Sequence, residues 1–128
     1  MSLRSPLGRV LGLGAAREGV RRWWQQRLTS VALVPLSIWF VVSLLALPSL
    51  NHATVAAWMS QTWTALLLIL FVVIAAWHSQ LGVREVVEDY VHGAGSKALT
   101  LVVVSFAHVL LAAAGVFAVL RVALGAAP

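Results

Sequence analysis

Apolar and polar positions segregate along this chain in long blocks rather than in a short alternation. Between Arg27 and Arg84 the only ionisable side chains are His52 and His78. Residues 28–47 form a run of twenty in which nothing is more polar than Thr29, Ser30, Ser37 and Ser43, and Pro48 closes it. A second apolar stretch covers residues 58–83 and a third 98–120. A helix that crosses a bilayer needs roughly 20 apolar residues at about 1.5 Å rise each. All three stretches reach that length, and a backbone in hydrocarbon must satisfy its own hydrogen bonds, so each is predicted to be a transmembrane helix. The expected fold is an all-α membrane protein of three spans. A basic arm at 1–27 precedes the transmembrane domain at 28–128.

The second stretch does not stop at its last apolar residue. Val83, Val86, Val87 and Tyr90 fall at i, i+3, i+4 and i+7, which predicts an amphipathic extension of the helix to about residue 91. His78 and Asp89 are eleven positions apart on that rod. At about 100° per residue this is three turns plus roughly 20°, so the two share one face about 16 Å apart.

Composition strengthens the membrane reading. Of 128 residues, 61% are hydrophobic and 10% charged, and mean hydropathy is +0.94. Soluble domains carry about 25% charged residues, so a water-facing surface cannot be assembled from this inventory. Disorder is excluded too, since it needs low hydrophobicity and high charge. The absence of cysteine removes disulfides, thiolate zinc sites, iron–sulfur ligation and cysteine nucleophiles from this chain.

The net charge of +5 is unevenly placed. Arg4, Arg9, Arg17, Arg21, Arg22 and Arg27 precede the first span, and Arg84 and Lys97 lie between the second and third. The connection between the first two spans carries no Lys or Arg, and the C-terminal tail only Arg121. A basic flank beside apolar spans is an orientation signal rather than a nucleic-acid footprint. It predicts a cytoplasmic N-terminus and second loop, with the C-terminus outside. Trp23 and Trp24 before the first span, and Trp58 and Trp63 at the outer end of the second, fit interfacial anchors. Trp39 and Trp77 lie deeper and need partners for their indole N–H groups. The Arg-rich, acid-poor arm is similar to an organellar targeting segment. The simpler reading is a cytoplasmic arm lying on the membrane or on a partner, loosened by Gly8, Gly12 and Gly14.

Ionisable groups within spans are rare and mark function by default. His78 lies about six residues, or roughly 9 Å, inside the boundary set by Arg84. A neutral imidazole there is either a haem-iron ligand or one end of an interhelical hydrogen bond, and the pattern alone leaves both open. His108, near the middle of the third span, reads as bonded across helices to a serine or a backbone carbonyl. His52 reads as a loop residue, and His92, before Gly93 and Gly95, as a complement to a helix C-terminus. Tyr90 and Asp89 at the bilayer edge admit two readings. One is a phenol donating to a quinone carbonyl beside a proton-relaying carboxylate; the other is a solvated face with an aromatic anchor.

These residues carry a family resemblance. The pattern His78-x3-Gly82-x6-Asp89-Tyr90-Val91 on the second of three helices resembles the hydrophobic membrane anchor subunit of succinate dehydrogenase. Residues 23–32, Trp-Trp-Gln-Gln-Arg-Leu-Thr-Ser-Val-Ala, are similar to the start of that family's first helix, notably in alphaproteobacteria. The resemblance covers essentially the whole chain. It implies that His78 is an axial ligand of a haem b shared with the cytochrome b subunit, and that Arg27 approaches the haem propionates. It implies that Tyr90 hydrogen-bonds ubiquinone with Asp89 beside it. It also implies docking of the flavoprotein and iron–sulfur subunits at a bacterial inner membrane, a mitochondrial one being disfavoured. The chain would not be catalytic alone. It departs from the family at Arg21 and Arg22, where many relatives carry a histidine before the tryptophan pair. Small residues at Ala112, Ala113, Ala114 and Gly115 are candidates for the interface with the cytochrome subunit. Two rivals are a stand-alone b-type cytochrome, pairing His78 from two copies, and a small holin-like pore former, which needs none of these side chains.

Overall fold

A computed structural model describes residues 16–125. Among these residues are four helices: α1 (Ala16–Leu45), α2 (His52–Met59), α3 (Thr62–Tyr90) and α4 (Ala94–Ala123). Helices α1, α3 and α4 are long and apolar enough to cross a membrane, so the chain is a multi-pass membrane protein. At 1.5 Å per residue their 29 or 30 residues span about 45 Å, more than the ~30 Å of hydrocarbon. Their ends therefore reach into the interfacial layers.

Local chemistry sets the boundaries. Helix α1 covers Ala16–Leu45 among the described residues, so it runs from the basic arm into the first span without a break at residue 27; residues 1–15 lie outside the described region. It contains Pro35, which has no amide proton to give the carbonyl one turn earlier, an interruption spanning helices tolerate. The short α2 was not expected. The Asn51 side chain caps it, accepting from the Thr54 amide at 2.9 Å, as Asn does where the first helical amides lack partners. Extended backbone at Gln61 (φ −67, ψ 130) then separates α2 from α3. The apolar stretch from residue 58 is thus two helices, the second starting at Thr62. The extension of α3 is real and reaches Tyr90. Of its apolar stripe only Val87 is buried, while Val86 and Tyr90 stand exposed. Three residues turn α3 into α4, and Lys97 Nζ donates to the Glu88 carbonyl at 2.8 Å, satisfying one of the acceptors a helix end leaves open.

The long helices form a row. Helix α3 packs against both α1 and α4, whereas the backbones of α1 and α4 do not approach each other closely among the described residues. At the far end, α2 wedges against α3 and α4. There Trp58, Ala65, Leu68 and Val119 form a core, joined by Trp39, Phe40 and Leu44 of α1. Trp58 stacks on Trp39 at 6.1 Å and 24°, and Phe40 stacks on Phe71 at 5.2 Å. Trp58 is therefore an inward-facing core residue rather than an interfacial anchor, because α2 folds it back over α1. Trp63, 78% exposed, keeps the anchor geometry. Gly115 is also used internally: a Cβ there would come within 2.6 Å of Val72 Cγ1 on α3. It lies on the α3–α4 seam, while Ala113 and Ala114 are exposed.

Candidate functional site

Among the described residues three polar clusters cross between helices, all on the half of the molecule away from Trp58. The first joins α1 to α3 through the line Arg22, Gln26, Thr29, Leu36, whose spacing puts them on one side of α1. Thr29 is 3% exposed and Leu36 8%. The Thr29 hydroxyl lies 2.8 Å from the Gln25 carbonyl oxygen, 3.1 Å from that of Gln26, and 2.9 Å from His78 Nδ1. Back-bonding of this kind lets a hydroxyl sit inside an apolar helix. The remaining ring nitrogen of His78, Nε2, has no hydrogen-bond partner among the described residues, and the ring is half-buried.

The second cluster joins α3 to α4 one residue further on. His108 Nδ1 lies 2.8 Å from the Val104 carbonyl oxygen, and its Nε2 lies 3.2 Å from Ser79 Oγ. A carbonyl can only accept, so Nδ1 carries the proton and Nε2 accepts from the serine hydroxyl. His108 is therefore the interhelically bonded histidine its position predicted. Its serine is Ser79 on α3; the hydroxyl of Ser105, on its own helix, donates to the Leu101 carbonyl at 2.8 Å.

The third cluster is ionic. The Glu88 carboxylate accepts from Arg22 of α1, and from Arg84 Nε one turn earlier at 2.9 Å. These side chains keep about a quarter to two-fifths of their exposure, so the pair aligns α1 with α3 more than it stabilises them. A cavity of about 470 Å³ beside it is lined by Gly19, Arg22, Trp23, Gln26, Leu81, Glu85 and Glu88.

The other sequence-predicted residues stay apart from these clusters. Asp89 and Tyr90 are exposed, Tyr90 at 78%, and form no hydrogen bond or ion pair among the described residues. Unbroken helix from His78 to Tyr90 keeps Asp89 on the His78 side, while Tyr90, twelve residues on, is turned about 120° away. Arg27 is exposed, with its guanidinium carbon 5.4 Å from the Trp23 ring centroid. It lies two residues, about 200°, from Thr29, so it faces away from His78. Gly82 is one turn beyond His78, and a Cβ there would lie 3.9 Å from Gln26 Nε2.

Thr29, Ser79 and Glu88 were not singled out from sequence. Thr29 and His78 are 49 positions apart, and no local pattern signals such a pairing. Glu88 sat in plain view between Arg84 and Asp89, and its spacing to Arg84 was the available signal.

Fold and site together define an α-helical, three-span membrane protein with one imidazole nitrogen left open at its polar end. A family model described as the succinate dehydrogenase/fumarate reductase transmembrane subunit matches residues 1–112, and the chain belongs to that family. It is 33% identical over 115 residues to the succinate dehydrogenase hydrophobic membrane anchor subunit of Paracoccus denitrificans, covering 90% of this chain and 88% of the relative. It is 30% identical over 79 residues to the subunit of the same name from Rickettsia conorii, covering 61% and 63%. A succinate dehydrogenase membrane anchor subunit from Reclinomonas americana is 24% identical over 88 residues, covering 66% and 73%.

Proposed function

We propose that the chain acts as the hydrophobic membrane anchor of a succinate dehydrogenase, docking its flavoprotein and iron–sulfur subunits to a bacterial inner membrane. In this reading it shares a haem b with a cytochrome b subunit and helps to form the ubiquinone site. The basic end, with Arg22, Arg84 and Lys97, faces the cytoplasm.

The observation that carries the haem assignment is the contrast between the two intramembrane histidines. His108 has both ring nitrogens engaged inside the chain, whereas among the described residues His78 has one engaged and one open. A single open imidazole would suit a haem iron shared with a partner chain. His78 would hold the iron, and the group would supply one-electron transfer beside the quinone. The proposed propionate contact of Arg27 rests on the family resemblance, since its side chain lies across α1 from His78.

Tyr90 and Asp89 stand exposed at the end of α3, unpartnered within the described residues and open to a neighbouring subunit or a quinone. The Tyr90 phenol donates a hydrogen bond to a quinone carbonyl oxygen, stabilising the negative charge that develops there on reduction. Asp89, at the aqueous rim, passes protons to the reduced oxygen. Electrons arrive from the soluble subunits, because this chain has no cysteine with which to hold a cluster.

The test is affinity purification of the tagged chain from its native membrane in mild detergent, with an optical spectrum of the product. The expected result is co-purification of a flavoprotein and an iron–sulfur protein with a low-spin b-type spectrum. Isolation without either soluble subunit would overturn the reading.

A further inference from the structure

The contacts of Thr29 contain a proton count that reaches beyond the identity of an iron ligand. A threonine hydroxyl has one proton. Three atoms compete for it within 3.1 Å: the carbonyl oxygens of Gln25 and Gln26, and His78 Nδ1. Both carbonyls can only accept. Were the proton given to Nδ1, the hydroxyl oxygen would face two carbonyl oxygens at 2.8 and 3.1 Å with no hydrogen between them. With the proton on the carbonyl side, the one remaining arrangement has Nδ1 bring its own proton and donate it to Thr29 Oγ1. Thr29 is 3% exposed, so water does not compete for that acceptor.

From this geometry we propose that Thr29 is a positioning residue: its hydroxyl accepts the Nδ1 proton of His78 and so keeps the Nε2 lone pair of the ring free for a metal. The inference rests on the reading of His78 as the haem ligand and adds what selects the nitrogen. A neutral imidazole has two tautomers, and only the one protonated at Nδ1 presents Nε2 as a donor. The same bond orients the ring and raises the basicity of the ligating nitrogen. The helix of α1 enforces the arrangement, because the hydroxyl's own proton is committed to a carbonyl one turn back. A span packed beside α3 thereby sets the electronic state of a group on α3.

The experiment has two arms. In the first, the full chain labelled with nitrogen-15 histidine is placed in lipid nanodiscs without haem, at a pH well above the ordinary histidine value, and its tautomer is read by NMR. Wild type is expected to carry the proton on Nδ1. Thr29→Ser is expected to keep it there, and Thr29→Val, nearly the same shape without the acceptor, to shift the population toward protonated Nε2. A wild-type ring protonated mainly at Nε2, or a Thr29→Val ring unchanged from wild type, would overturn the proposal. In the second arm, the assembled complex is titrated spectroscopically. Thr29→Val is expected to weaken haem retention about 10- to 100-fold and to raise the midpoint potential of the haem that remains, with Thr29→Ser restoring both. His78→Ala separates the two ideas. An unaltered low-spin spectrum in that variant would sink the ligand reading and this inference with it. A spectrum lost in His78→Ala but unchanged in Thr29→Val would sink this inference alone.

Discussion

At the scale of residues, the decisive difference is between two imidazoles on adjacent helices with opposite hydrogen-bond states. His108 is saturated by Val104 and Ser79; His78, among the described residues, is bonded on one side only. In the purified complex, His78→Ala is therefore expected to abolish the low-spin b-type spectrum. His108→Ala is expected to leave it in place and cost only about 1 kcal/mol of stability, as interhelical polar bonds in membranes do. Optical spectra and thermal melts of both variants check this. Tyr90→Phe removes a single hydroxyl and, with 78% of the residue exposed, no packing. Losing one hydrogen bond of about 1.4 kcal/mol to a developing oxyanion predicts roughly a tenfold fall in quinone reduction. Succinate oxidation by a soluble dye should persist, and equal losses in both assays would refute the assignment. His78 and its two candidate roles were legible in the sequence, because an ionisable group amid apolar neighbours is conspicuous. Its partner was not, since threonines are common in spanning helices and only the packing of α1 on α3 selects Thr29.

At the scale of elements, hydropathy located the three spans but not how they meet. The stretch from residue 58 reads as one helix because Trp58 and Met59 are as apolar as the first turns of α3. The break at Gln61 is a backbone event that hydropathy does not register. The small residues of α4 were similarly ambiguous, since close approach is equally useful inside a chain and between chains. Gly115 proves to be an internal contact. A methyl group there meets Val72 at 2.6 Å, so Gly115→Ala is expected to destabilise the α3–α4 pair by about 1–3 kcal/mol. Adding Val72→Ala should recover much of that loss. Gly95→Ala, with nothing within 4 Å, is the control and is expected to be neutral or slightly stabilising. Melting curves in detergent distinguish the three. Trp58→Ala removes the ring on which Trp39 stacks and is expected to cost about 3–5 kcal/mol. Increased proteolysis between α1 and α3 would report the loss.

At the scale of the whole molecule, nearly every large apolar side chain on the outer faces of α1 and α4 is exposed, and the buried core is small. Such a surface is stable only against lipid or other protein. Produced without the other subunits, the chain is expected to partition into membranes and to remain colourless. A low-spin haem spectrum from the chain alone would favour the homodimeric cytochrome instead.

The row of helices has a mechanical corollary. With the α3 backbone close to both neighbours and the backbones of α1 and α4 kept apart among the described residues, α3 is the spine of an open book whose two covers are α1 and α4. Polar contacts tie each cover to the spine, and the apolar cluster around Trp58 bridges them at one edge. A tilt of α1 is thus passed to α4 through α3, the helix that carries both His78 and Ser79, and at the far edge through Trp58 of α2.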